Sequence, residues 1–421
     1  MADRLLDGQR VLLGVTGGIA AYKAADLCSK LVQAGAQVDV VMTEAAARFV
    51  APLTFAALSG RPARIDMWSA PGGDPIPHVR MAASTDLVIV APLSANTLAK
   101  LALGLADNLL TATLLATPIA ALSKPGFDGG VPWILAPAME SHMWANPLTQ
   151  AHMVALVARG AAQVGPGRGR LASGAMGAGR MAEPAEILAA ARLALARRGP
   201  LAGRRVLVTA GGTQEPLDPV RYLTNASSGK MGLALAEAAR DLGAAVAVVH
   251  APLAVPMPYG VESVPVRTAQ QMCDAVLARA GTTDVLIGAA AVADFRPAEA
   301  AGQKIKKTPG QEELLVRLAR NPDILGEVAA QRAQTGWPRA VVGFAAETQD
   351  LLANAAAKLV AKRLDLIVAN DVTEPGSGFG ADDNRVTLLF ADGRQEALPI
   401  MPKAEVADRV LAAVLPLLQP D

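Results

Sequence analysis

Val11-Leu-Leu-Gly-Val15 and the turn Thr16-Gly17-Gly18 that follows it decide the fold of the first half of the chain. The apolar run predicts a buried strand, the glycines predict a tight turn, and residues 19–34 have the periodicity of an amphipathic helix. Residues 37–42 predict a second strand. Strand, glycine turn, helix and strand in this order are typical of the start of a doubly wound α/β sheet.

The same series begins again in the second half of the chain. Gly199-Pro200 ends the helical pattern of residues 183–198, and Arg205-Val-Leu-Val-Thr209 then predicts a new strand. We therefore predict two doubly wound α/β domains, 1–197 and 198–421. The other predicted strands are 86–90, 133–136, 245–250, 262–266, 284–288, 340–344, 366–369, 386–390 and 395–400, and the other predicted helices are 98–103, 234–242, 269–280, 351–362 and 403–418.

The composition limits the class of protein. With 421 residues, 52% of them hydrophobic and 3% aromatic, the chain has material for large aliphatic cores. A net charge of +1 gives no electrostatic reason to expect binding to nucleic acid or to a membrane surface. The N-terminal region has Asp3, Arg4 and Asp7 rather than an apolar signal core, and no apolar run reaches the ~18 residues of a membrane span. Cys28 and Cys273 lie in predicted helices, as buried thiols do, so we expect a soluble cytoplasmic protein.

Residues 223–232 read L-T-N-A-S-S-G-K-M-G and stand immediately before a predicted helix. Hydroxyl groups, a glycine and a lysine at a helix N-terminus can bind an anion, because free backbone N–H groups and the helix dipole favour negative charge there. The stretch is not a P-loop, since no glycine stands five residues before Gly229 and Met231 follows the lysine. A polar loop with an ordinary N-cap is the alternative interpretation.

Further polar residues of the second half follow predicted strands. Gly288-Ala289-Ala290 offers small residues on which a flat base can lie, and Asp294 can accept from an exocyclic amine or hold a metal ion. Lys304 is predicted on a loop, whereas Lys358 and Lys362 share one face of a predicted helix, which can equally be a solvated face. Together these residues predict a nucleoside triphosphate site without a Walker A motif, for phosphoryl or nucleotidyl transfer with Mg²⁺.

Polar segments of the first half also follow strands, where ligands bind in open α/β sheets. The glycines of this half do not match the G-x-G-x-x-G fingerprint, and the second strand ends without an acid, so a mononucleotide phosphate fits better than a dinucleotide. Residues 92–97 and 137–144 are further site candidates. Residues 165–180 lack periodicity, and we expect a mobile loop that acts as a lid.

Several motifs of the second half closely resemble the phosphopantothenate–cysteine ligase half of the bifunctional bacterial coenzyme A biosynthesis family. They are Ala210-Gly-Gly-Thr-Gln-Glu-Pro-Leu-Asp-Pro-Val-Arg221, Thr224–Gly232, Ala290–Pro297 with Lys304–Lys307, Gly343–Thr348 and Ala369–Asp371. The first half resembles the flavin-dependent phosphopantothenoylcysteine decarboxylase half of the same family. The resemblance covers essentially the whole chain, and it implies a flavodoxin-like first domain and a Rossmann-like second domain.

The resemblance implies that the second half activates 4′-phosphopantothenate with CTP to an acyl-cytidylate, from which cysteine displaces CMP. Asn225 would position the acyl-cytidylate, and Lys304 would hold phosphates of CTP. Residues 288–290 and Asp294 would read the cytosine of CTP, and Asp294 remains the candidate ligand of Mg²⁺. The residues implied to bind substrate or nucleotide are Arg221, Ser227, Ser228, Gly229, Lys230, Gly288, Ala289, Ala290, Asp294, Pro322, Asp323, Ile324, Leu325, Phe344, Lys358 and Lys362.

For the first half, the resemblance implies an FMN-dependent conversion of 4′-phosphopantothenoylcysteine to 4′-phosphopantetheine. FMN would accept electrons from the cysteine moiety so that CO₂ can leave, and would then return a hydride. His78, which we predict in a proline-rich loop before a strand, matches the active-site base, and Met139 and Glu140 match a substrate-binding segment. The residues that match flavin-binding positions are Gly17, Gly18, Ile19, Thr43, Ser94, Ala95, Asn96 and Thr97.

Two residues depart from the family pattern of the decarboxylase. Glu140 stands where the family usually has Asn, so it must be protonated, turned away or replaced in its role by a neighbour such as His142. Ser173 stands where the family usually has the Cys that protonates the enethiol, and a hydroxyl is a far weaker acid than a thiol. Either Ser173 or another group relays a proton, or the first half stops at an oxidised enethiol, or it is a non-catalytic FMN-binding domain for oligomerisation or regulation. The presence of His78 argues against the last alternative.

The resemblance also implies a homo-oligomer, with trimeric contacts through the flavin half and dimeric contacts through the ligase half. Threefold and twofold contacts in one chain generate a larger closed assembly. The implied partners are small molecules, namely 4′-phosphopantothenate, cysteine and CTP.

Overall fold

A computed structural model describes residues 5–68, 76–120, 130–197, 199–306, 312–347, 350–371 and 380–418. Contacts divide the chain into two compact units between Leu195 and Ala196, close to the boundary predicted after residue 197. Asp3, Arg4, Lys307 and Thr348 lie outside the described residues. No helix within the described ranges is both long enough and apolar enough to cross a membrane.

The first unit contains a parallel sheet of five strands. They are β1 (Arg10–Val15), β2 (Gln37–Met42), β3 (Leu87–Leu93), β4 (Trp133–Pro137) and β5 (Ala162–Gln163), in the spatial order β2-β1-β3-β4-β5. Antiparallel β6 (Gly167–Arg170) and β7 (Met176–Arg180) form a separate hairpin. The helices are α1 (Ala21–Gln33), α2 (Glu44–Ala47), α3 (Pro52–Ser59), α4 (Pro77–Ala83), α5 (Ala95–Leu103), α6 (Leu109–Ala116), α7 (Ser141–Ala145), α8 (Pro147–Ala158) and α9 (Pro184–Ala196).

The alternation of side chains along β1 explains the layers of this unit. Leu13 belongs to one core cluster together with Leu27 and Leu31 of α1. Its neighbour Leu12 belongs to a second cluster together with Leu110 of α6. Because successive side chains of a strand point to opposite faces, helices bury β1 on both sides. The strand order and the helices on both faces are those of a flavodoxin-like doubly wound fold, which confirms the predicted fold class of this half.

Two local predictions for this unit are wrong. Residues 165–180 form the β6–β7 hairpin rather than a loop without regular structure. Glycines alternate with arginines in β6, so no hydrophobic period marks a strand whose pairing rests on backbone hydrogen bonds. His78 lies in α4 rather than in a loop, and Pro77 occupies the first turn of that helix, where proline is compatible with helical structure.

The second unit contains a sheet of eight strands. They are β8 (Arg205–Ala210), β11 (Ala245–His250), β12 (Glu262–Pro265), β13 (Val285–Gly288), β16 (Ala340–Glu347), β17 (Leu366–Asp371), β19 (Val386–Phe390) and β20 (Gln395–Ala397). Three short pairs are β9 (Gln214–Pro216) with β10 (Tyr222–Thr224), β14 (Phe295–Pro297) with β15 (Leu318–Arg320), and β18 (Asp383–Asn384) with β21 (Met401–Pro402). The helices are α10 (Lys230–Asp241), α11 (Ala269–Ala280), α12 (Ile324–Thr335), α13 (Leu351–Ala361) and α14 (Lys403–Val414), and the 3₁₀ turn Leu415–Leu418 follows α14.

The sheet of the second unit has the order β12-β11-β8-β13-β16-β17-β19-β20. The pairs from β12 to β17 are parallel, and the pairs from β17 to β20 are antiparallel. Val206 and Val208 of β8 pack in one cluster with residues of α10 and α14, whereas Leu207 packs in another with residues of α11, α12 and α13. This Rossmann-like sheet, with helices on both faces and an antiparallel edge, confirms the predicted fold class of the second half.

Two helices of the second unit differ from the sequence prediction in ways that shape its site. α10 begins at Lys230, four residues before the predicted helix, and Gly229 is its N-cap with a φ of 76°. α12 was not predicted, and it begins at Ile324, inside the segment expected only to line a pocket. Both helices therefore place their N-termini near residues predicted to bind substrate or nucleotide.

Candidate active sites

A cleft of about 1060 Å³ opens in the first unit, where the loops after β1, β2, β3 and β4 meet. Met139, Glu140 and Ser173 line it. So do all eight residues predicted to bind a flavin, namely Gly17, Gly18, Ile19, Thr43, Ser94, Ala95, Asn96 and Thr97. The structure therefore gathers at the carboxyl edge of one sheet residues that lie far apart in the sequence.

Thr16, immediately after β1, fixes the base of this cleft. Its buried hydroxyl donates to the Pro92 carbonyl oxygen at 2.6 Å and accepts from the Ser94 N–H at 2.8 Å. These bonds tie the loop after β1 to the loop after β3. The neighbouring Gly17 has no room for a side chain, because a Cβ there would lie 2.6 Å from the Cβ of Ala45.

Backbone N–H groups at the start of α1 are available to an anion. Thr43 caps α2 by accepting from Ala46, and Ser94 caps α5 by accepting from Thr97. The N-cap of α1 provides no such side-chain acceptor. Within the described ranges, the N–H groups of residues 18–20 have no hydrogen-bond acceptor. The positive end of the α1 dipole therefore faces the cleft with unpaired donors, an arrangement that suits phosphate.

Three of the four cationic side chains that line the first cleft have carboxylate partners. Lys23 Nζ lies 2.6 Å from Glu183 Oε1, and Lys100 Nζ lies 2.6 Å from Asp107 Oδ2. Arg180 Nη2 lies 3.5 Å from the same oxygen of Glu183. The hydrogen bond from Lys100 is the largest cause that lowers the pKa of Asp107. These three cations thus share two carboxylates of the protein itself, those of Glu183 and Asp107.

The β6–β7 hairpin covers one side of the first cleft. The N–H of Met139 donates to the carbonyl oxygen of Gly179 in β7 at 3.0 Å. A Cβ at Gly179 would overlap the Met139 carbonyl oxygen, so this close approach requires glycine. The turn of the hairpin brings Ser173 and Arg170 to the cleft, both of them exposed. Arg170 has no carboxylate partner in the described part of the chain, so its charge is available to an anionic ligand.

Glu140 caps the N-terminus of α7. Its carboxylate accepts from the N–H of His142 at 2.5 Å and from the hydroxyl of Ser141 at 2.9 Å. The His142 N–H, followed by the Ser141 hydroxyl, lowers the pKa of Glu140. Of the possibilities raised by the sequence, the geometry disfavours a protonated Glu140 and supports one whose charge is directed towards α7.

His78 does not line the cleft of its own chain. It is half-buried in α4, and its Nδ1 is buried without a hydrogen-bond partner among the described residues. The other predicted residues of the first half converge on the cleft, whereas this predicted base lies apart from them.

A second cleft, of about 460 Å³, lies in the second unit where β13 and β16 end and α12 begins. Nine predicted residues line it, namely Gly288, Ala290, Asp294, Pro322, Asp323, Ile324, Leu325, Phe344 and Lys362. The other predicted residues of this half do not line it: Arg221, Asn225, Ser227, Ser228, Gly229, Lys230, Ala289, Lys304 and Lys358.

Two polar side chains that the sequence did not single out shape the second cleft. Thr209 Oγ1 accepts from the Ala290 N–H at 3.2 Å, and Asn321 Nδ2 donates to the Ala293 carbonyl oxygen at 2.7 Å. The N–H of Asn321 donates to the Asp294 carbonyl oxygen at 2.9 Å. Thr209 was detectable as a polar residue near a strand end, whereas Asn321 lies 28 positions from Ala293 and carries no local signal.

Asn225 lies at the edge of the second cleft. Its Nδ2 donates at 3.0 Å to the carbonyl oxygen of Val292, a residue that lines the cleft. Gly212 packs against Asn225 so closely that a Cβ would lie 2.5 Å from the Asn225 carbonyl oxygen. Asn225 is therefore held beside the cleft by the hydrogen bond of its side-chain amide and by the close packing of its backbone against Gly212.

The predicted anion loop stands at the N-terminus of α10. Ser227 Oγ accepts from the Gly229 N–H at 3.3 Å, and Ser228 Oγ accepts from the Lys230 N–H at 3.4 Å. The Lys230 ammonium donates to Asp382 Oδ1 at 2.7 Å, and this bond is the largest cause that lowers the pKa of Asp382. A phosphate at this loop would therefore meet hydroxyl groups and a lysine that already has a carboxylate partner.

Arg221 is held by Asp218, a buried residue that the sequence did not single out. Arg221 Nε and Nη2 donate to Asp218 Oδ2 at 2.9 Å and 2.5 Å, and Nη2 also donates to the Ile305 carbonyl oxygen at 2.8 Å. The hydrogen bond from Arg221 is the largest cause that holds the pKa of Asp218 far below its usual range. Lys304, which precedes Ile305, is exposed.

Lys362 and Asp323 meet at the N-terminus of α12. Lys362 Nζ lies 3.0 Å from Asp323 Oδ1, and Asp323 caps the helix by accepting from the Gly326 N–H at 3.2 Å. Among the described residues there is no group of three or more His, Cys, Asp or Glu side chains that could hold a metal ion. Asp294 and Asp323 are the carboxylates that line the second cleft among the described residues, and Mg²⁺ bound with substrate phosphates requires only one or two carboxylates.

Comparison with known proteins identifies the family. The Flavoprotein family matches residues 2–194, and the DNA/pantothenate metabolism flavoprotein C-terminal domain matches residues 201–417. The coenzyme A biosynthesis bifunctional protein CoaBC of Bacillus subtilis (strain 168) is 45% identical over 413 residues, which are 97% of this chain and 97% of that protein. This chain belongs to the family of bifunctional coenzyme A biosynthesis proteins.

The sequence of a second relative supports the same conclusion. The CoaBC protein of Vibrio vulnificus (strain CMCP6) is 42% identical over 409 residues, 97% of this chain and 98% of that protein. A crystal structure of the C-terminal domain of a CoaBC protein is 38% identical, covers 52% of this chain and 97% of that chain, and has a TM-score of 0.44. The chain is a bifunctional enzyme of coenzyme A biosynthesis, with a flavoprotein decarboxylase half and a ligase half, and the resemblance found in the motifs is confirmed.

Proposed function

We propose that this enzyme makes 4′-phosphopantetheine from 4′-phosphopantothenate and cysteine in the cytoplasm. The second unit would form 4′-phosphopantothenoylcysteine with CTP, through an acyl-cytidylate, and the first unit would decarboxylate that product with FMN. The observation that carries the proposal is the first cleft, which brings together all the predicted flavin positions in a member of this family. Two free, buried thiols suit the reducing cytoplasm.

FMN fits the residues of the first cleft. The volume of this cleft, about 1060 Å³, is at the upper end of the ~300–1,000 Å³ typical of ligand pockets. The flavin phosphate would be held by the N–H groups of residues 18–20 at the start of α1, and the loops that begin at Thr43 and Ser94 would hold the rest of the cofactor. When bound, FMN supplies an electron acceptor for the cysteine moiety and a hydride donor.

The phosphate of the decarboxylation substrate would bind to Arg170. The other cations of the cleft have carboxylate partners, whereas Arg170 has none within the described ranges. A guanidinium matches the geometry of a phosphate group and binds it through paired hydrogen bonds. Arg170 would therefore favour phosphorylated substrates, while Glu140 keeps its charge on the N-terminus of α7.

The proton that completes the reduction would pass through Ser173. No thiol lines the first cleft, because Cys28 and Cys273 are buried elsewhere in the cores. Ser173 is exposed in the turn of the hairpin, where its hydroxyl can relay a proton from solvent. Without such a relay the first unit would release an oxidised enethiol, which is the second candidate product.

His78 would act as the base in the cleft of a second copy of the chain. It does not line its own cleft, so its catalytic assignment requires a neighbouring chain. The trimeric contacts implied for the flavin half would supply that neighbour, and dimeric contacts through the ligase half would close the assembly.

In the second unit, the cleft would hold CTP. The base would lie on Gly288 and Ala290 against Phe344, while Asp294 would hold Mg²⁺. Lys304, Lys358 and Lys362 would hold the phosphates, with the N-terminus of α12 adding its dipole. Asn225 would position the acyl-cytidylate, and the Ser227–Lys230 loop would hold the phosphate of phosphopantothenate. Catalysis of this kind rests on positioning and on charge stabilisation rather than on a nucleophilic side chain.

The mass of the product tests the proposal. The purified, flavin-loaded protein is incubated with 4′-phosphopantothenate, cysteine and CTP–Mg²⁺, and the products are identified by mass spectrometry. We expect 4′-phosphopantetheine. A product two hydrogens short would show that the reaction stops at the enethiol, accumulated 4′-phosphopantothenoylcysteine would refute the decarboxylase, and unreacted 4′-phosphopantothenate would refute the ligase.

A further inference from the structure

The buried carboxylate of Asp218 lies outside both clefts, yet it contacts the segment that carries Lys304. We propose that Asp218 is a positioning residue of the ligase step. Asp218 and Arg221 clamp Ile305, and this clamp holds its neighbours Lys304 and Lys306 in place. The inference rests on the proposed function of the second unit, since the lysines serve the reaction only if nucleotide phosphates bind there.

The clamp holds Ile305 at two points. The N–H of Ile305 donates to Asp218 Oδ2 at 3.1 Å, and the carbonyl oxygen of Ile305 accepts from Arg221 Nη2 at 2.8 Å. Both backbone polar groups of this residue are thus bound by side chains more than 80 positions earlier in the chain. Ile305 is half-buried, whereas Lys304 and Lys306 on either side of it are exposed. The clamp therefore fixes the backbone and leaves the two lysine side chains accessible to a ligand.

Asp218 is itself rigidly held at the tip of the β9–β10 hairpin. Its Oδ1 accepts from the N–H groups of Val220 and Arg221 at 2.8 Å each, and the Leu217 N–H donates to the Arg221 carbonyl oxygen at 2.9 Å. The Asp218 side chain is 0% exposed, whereas that of Arg221 is 44% exposed. A neutral side chain at position 218 would leave the Arg221 guanidinium without its counter-ion at this buried point, which is costly.

The β9–β10 hairpin connects the clamp to Asn225. β10 ends at Thr224, so Asn225 follows it directly, about 13 Å of extended chain from Arg221. In β9, the buried Glu215 accepts from the Ala269 N–H at 2.9 Å, which anchors the hairpin to the start of α11. One short hairpin thus carries the clamp at its tip and Asn225 at its base, and the distance between them is fixed by backbone pairing.

The geometry changes the assignment of Arg221. The sequence predicted a substrate-binding residue, but the Arg221 guanidinium makes hydrogen bonds to Asp218 and to Ile305. Arg221 is therefore assigned to the clamp, where it acts on the substrate through the position of the lysine segment.

The test compares Asp218→Asn with the matched control Asp284→Asn in the full-length protein. Asp284 is also a buried carboxylate that accepts from an arginine, Arg204, and from a backbone N–H, that of Arg205, both at 2.9 Å. It lies at the amino edge of the same sheet, away from the second cleft. Two readouts are measured: the rate of acyl-cytidylate formation from 4′-phosphopantothenate and CTP–Mg²⁺, and the rate of tryptic cleavage after Lys304 and Lys306.

For Asp218→Asn we expect kcat of acyl-cytidylate formation to fall about 100-fold, the loss expected for a displaced catalytic group, with a smaller change in KM for CTP. Cleavage after Lys304 and Lys306 should become faster in the same variant. Asp284→Asn should lower the melting temperature and leave both readouts unchanged. Arg221→Gln removes one point of the clamp and keeps the buried carboxylate, so its kcat should fall by less than that of Asp218→Asn. It replaces Asp218→Asn in the test if that variant does not fold.

Two results would contradict the clamp. The first is an unchanged kcat and an unchanged cleavage rate in folded Asp218→Asn and Arg221→Gln proteins. The second is an equal loss of kcat in Asp284→Asn, which would indicate a general effect on folding. If the unmodified enzyme forms no acyl-cytidylate, the proposed ligase function fails instead. In that case the cleavage experiment still shows whether Asp218 holds the Lys304–Lys306 segment, because it requires no substrate.

Discussion

Cys28 and Cys273 are the two cysteines of the chain, and both are buried in helices. Burial raises the pKa of Cys28 to about 11 and also raises the pKa of Cys273. A raised pKa leaves less reactive thiolate in the folded protein than in the unfolded chain at any given pH below it. We expect almost no reaction of the folded protein with a thiol reagent at pH 8, and reaction of both thiols after unfolding. A thiol that reacts rapidly in the native protein would contradict this expectation.

Arg170 is the residue that we expect to select phosphorylated substrates. If its guanidinium binds the substrate phosphate, Arg170→Gln should raise KM for 4′-phosphopantothenoylcysteine about tenfold, the loss of one solvent-exposed charged hydrogen bond, with little change in kcat. The same variant should leave KM for unphosphorylated pantothenoylcysteine unchanged. Arg168→Gln is the matched control, since Arg168 lies in the same strand but does not line the cleft. An equal effect on both substrates would show that Arg170 does not bind the phosphate.

The hairpin β6–β7 is the element on which the first cleft most depends. Gly179 has a φ of 153° and faces the Met139 carbonyl oxygen, so Gly179→Ala introduces both backbone strain and an overlap. We expect this variant to lose most of its flavin affinity, measured by flavin fluorescence, while acyl-cytidylate formation by the second unit continues. Gly174→Ala is the control, because Gly174 has a φ of 88° with nothing near its missing Cβ, and its cost should stay near 1–2 kcal/mol. Equal flavin loss in both variants would point to strain in the hairpin rather than to its contact with Met139.

The same elements show why part of the structure was predictable. Along α1, the buried residues Ala21, Ala24, Leu27, Cys28 and Leu31 recur at helical spacing, so the sequence revealed both the helix and its inner face. The β6–β7 hairpin has no such period, since its strands are rich in glycine and pair through the backbone. The short helix α4 carries only one local signal, a proline in the first turn, and the longer α8 carries a proline there and the N-cap Asn146.

Site residues were predictable where a local rule places them and not where the fold brings distant segments together. Ser94 and Thr43 follow strands and cap helices, so their position in a parallel sheet locates them at the cleft. No local rule locates Asp218 at the site, because its partner Ile305 lies 87 positions away in the sequence. Local patterns also misplaced His78, which they indicate on a loop and which lies in α4.

Whether His78 acts as a base between chains can be tested in the assembly of several chains. If one chain donates His78 to the cleft of another, two inactive variants should restore activity when they assemble together. His78→Asn removes the base, and Gly17→Val blocks the cleft, since even a Cβ at position 17 meets Ala45 at 2.6 Å. Random mixing of equal amounts in a cyclic trimer would give a complete site at about one quarter of all interfaces, so the variants co-expressed and purified as one pool should regain about 25% of the decarboxylase activity. The separate variants should remain inactive in decarboxylation but active as ligases, which shows that their second units are folded. If the mixed assembly stays inactive, His78 does not act between chains, and the base of the decarboxylase must be sought among the residues that line the cleft itself.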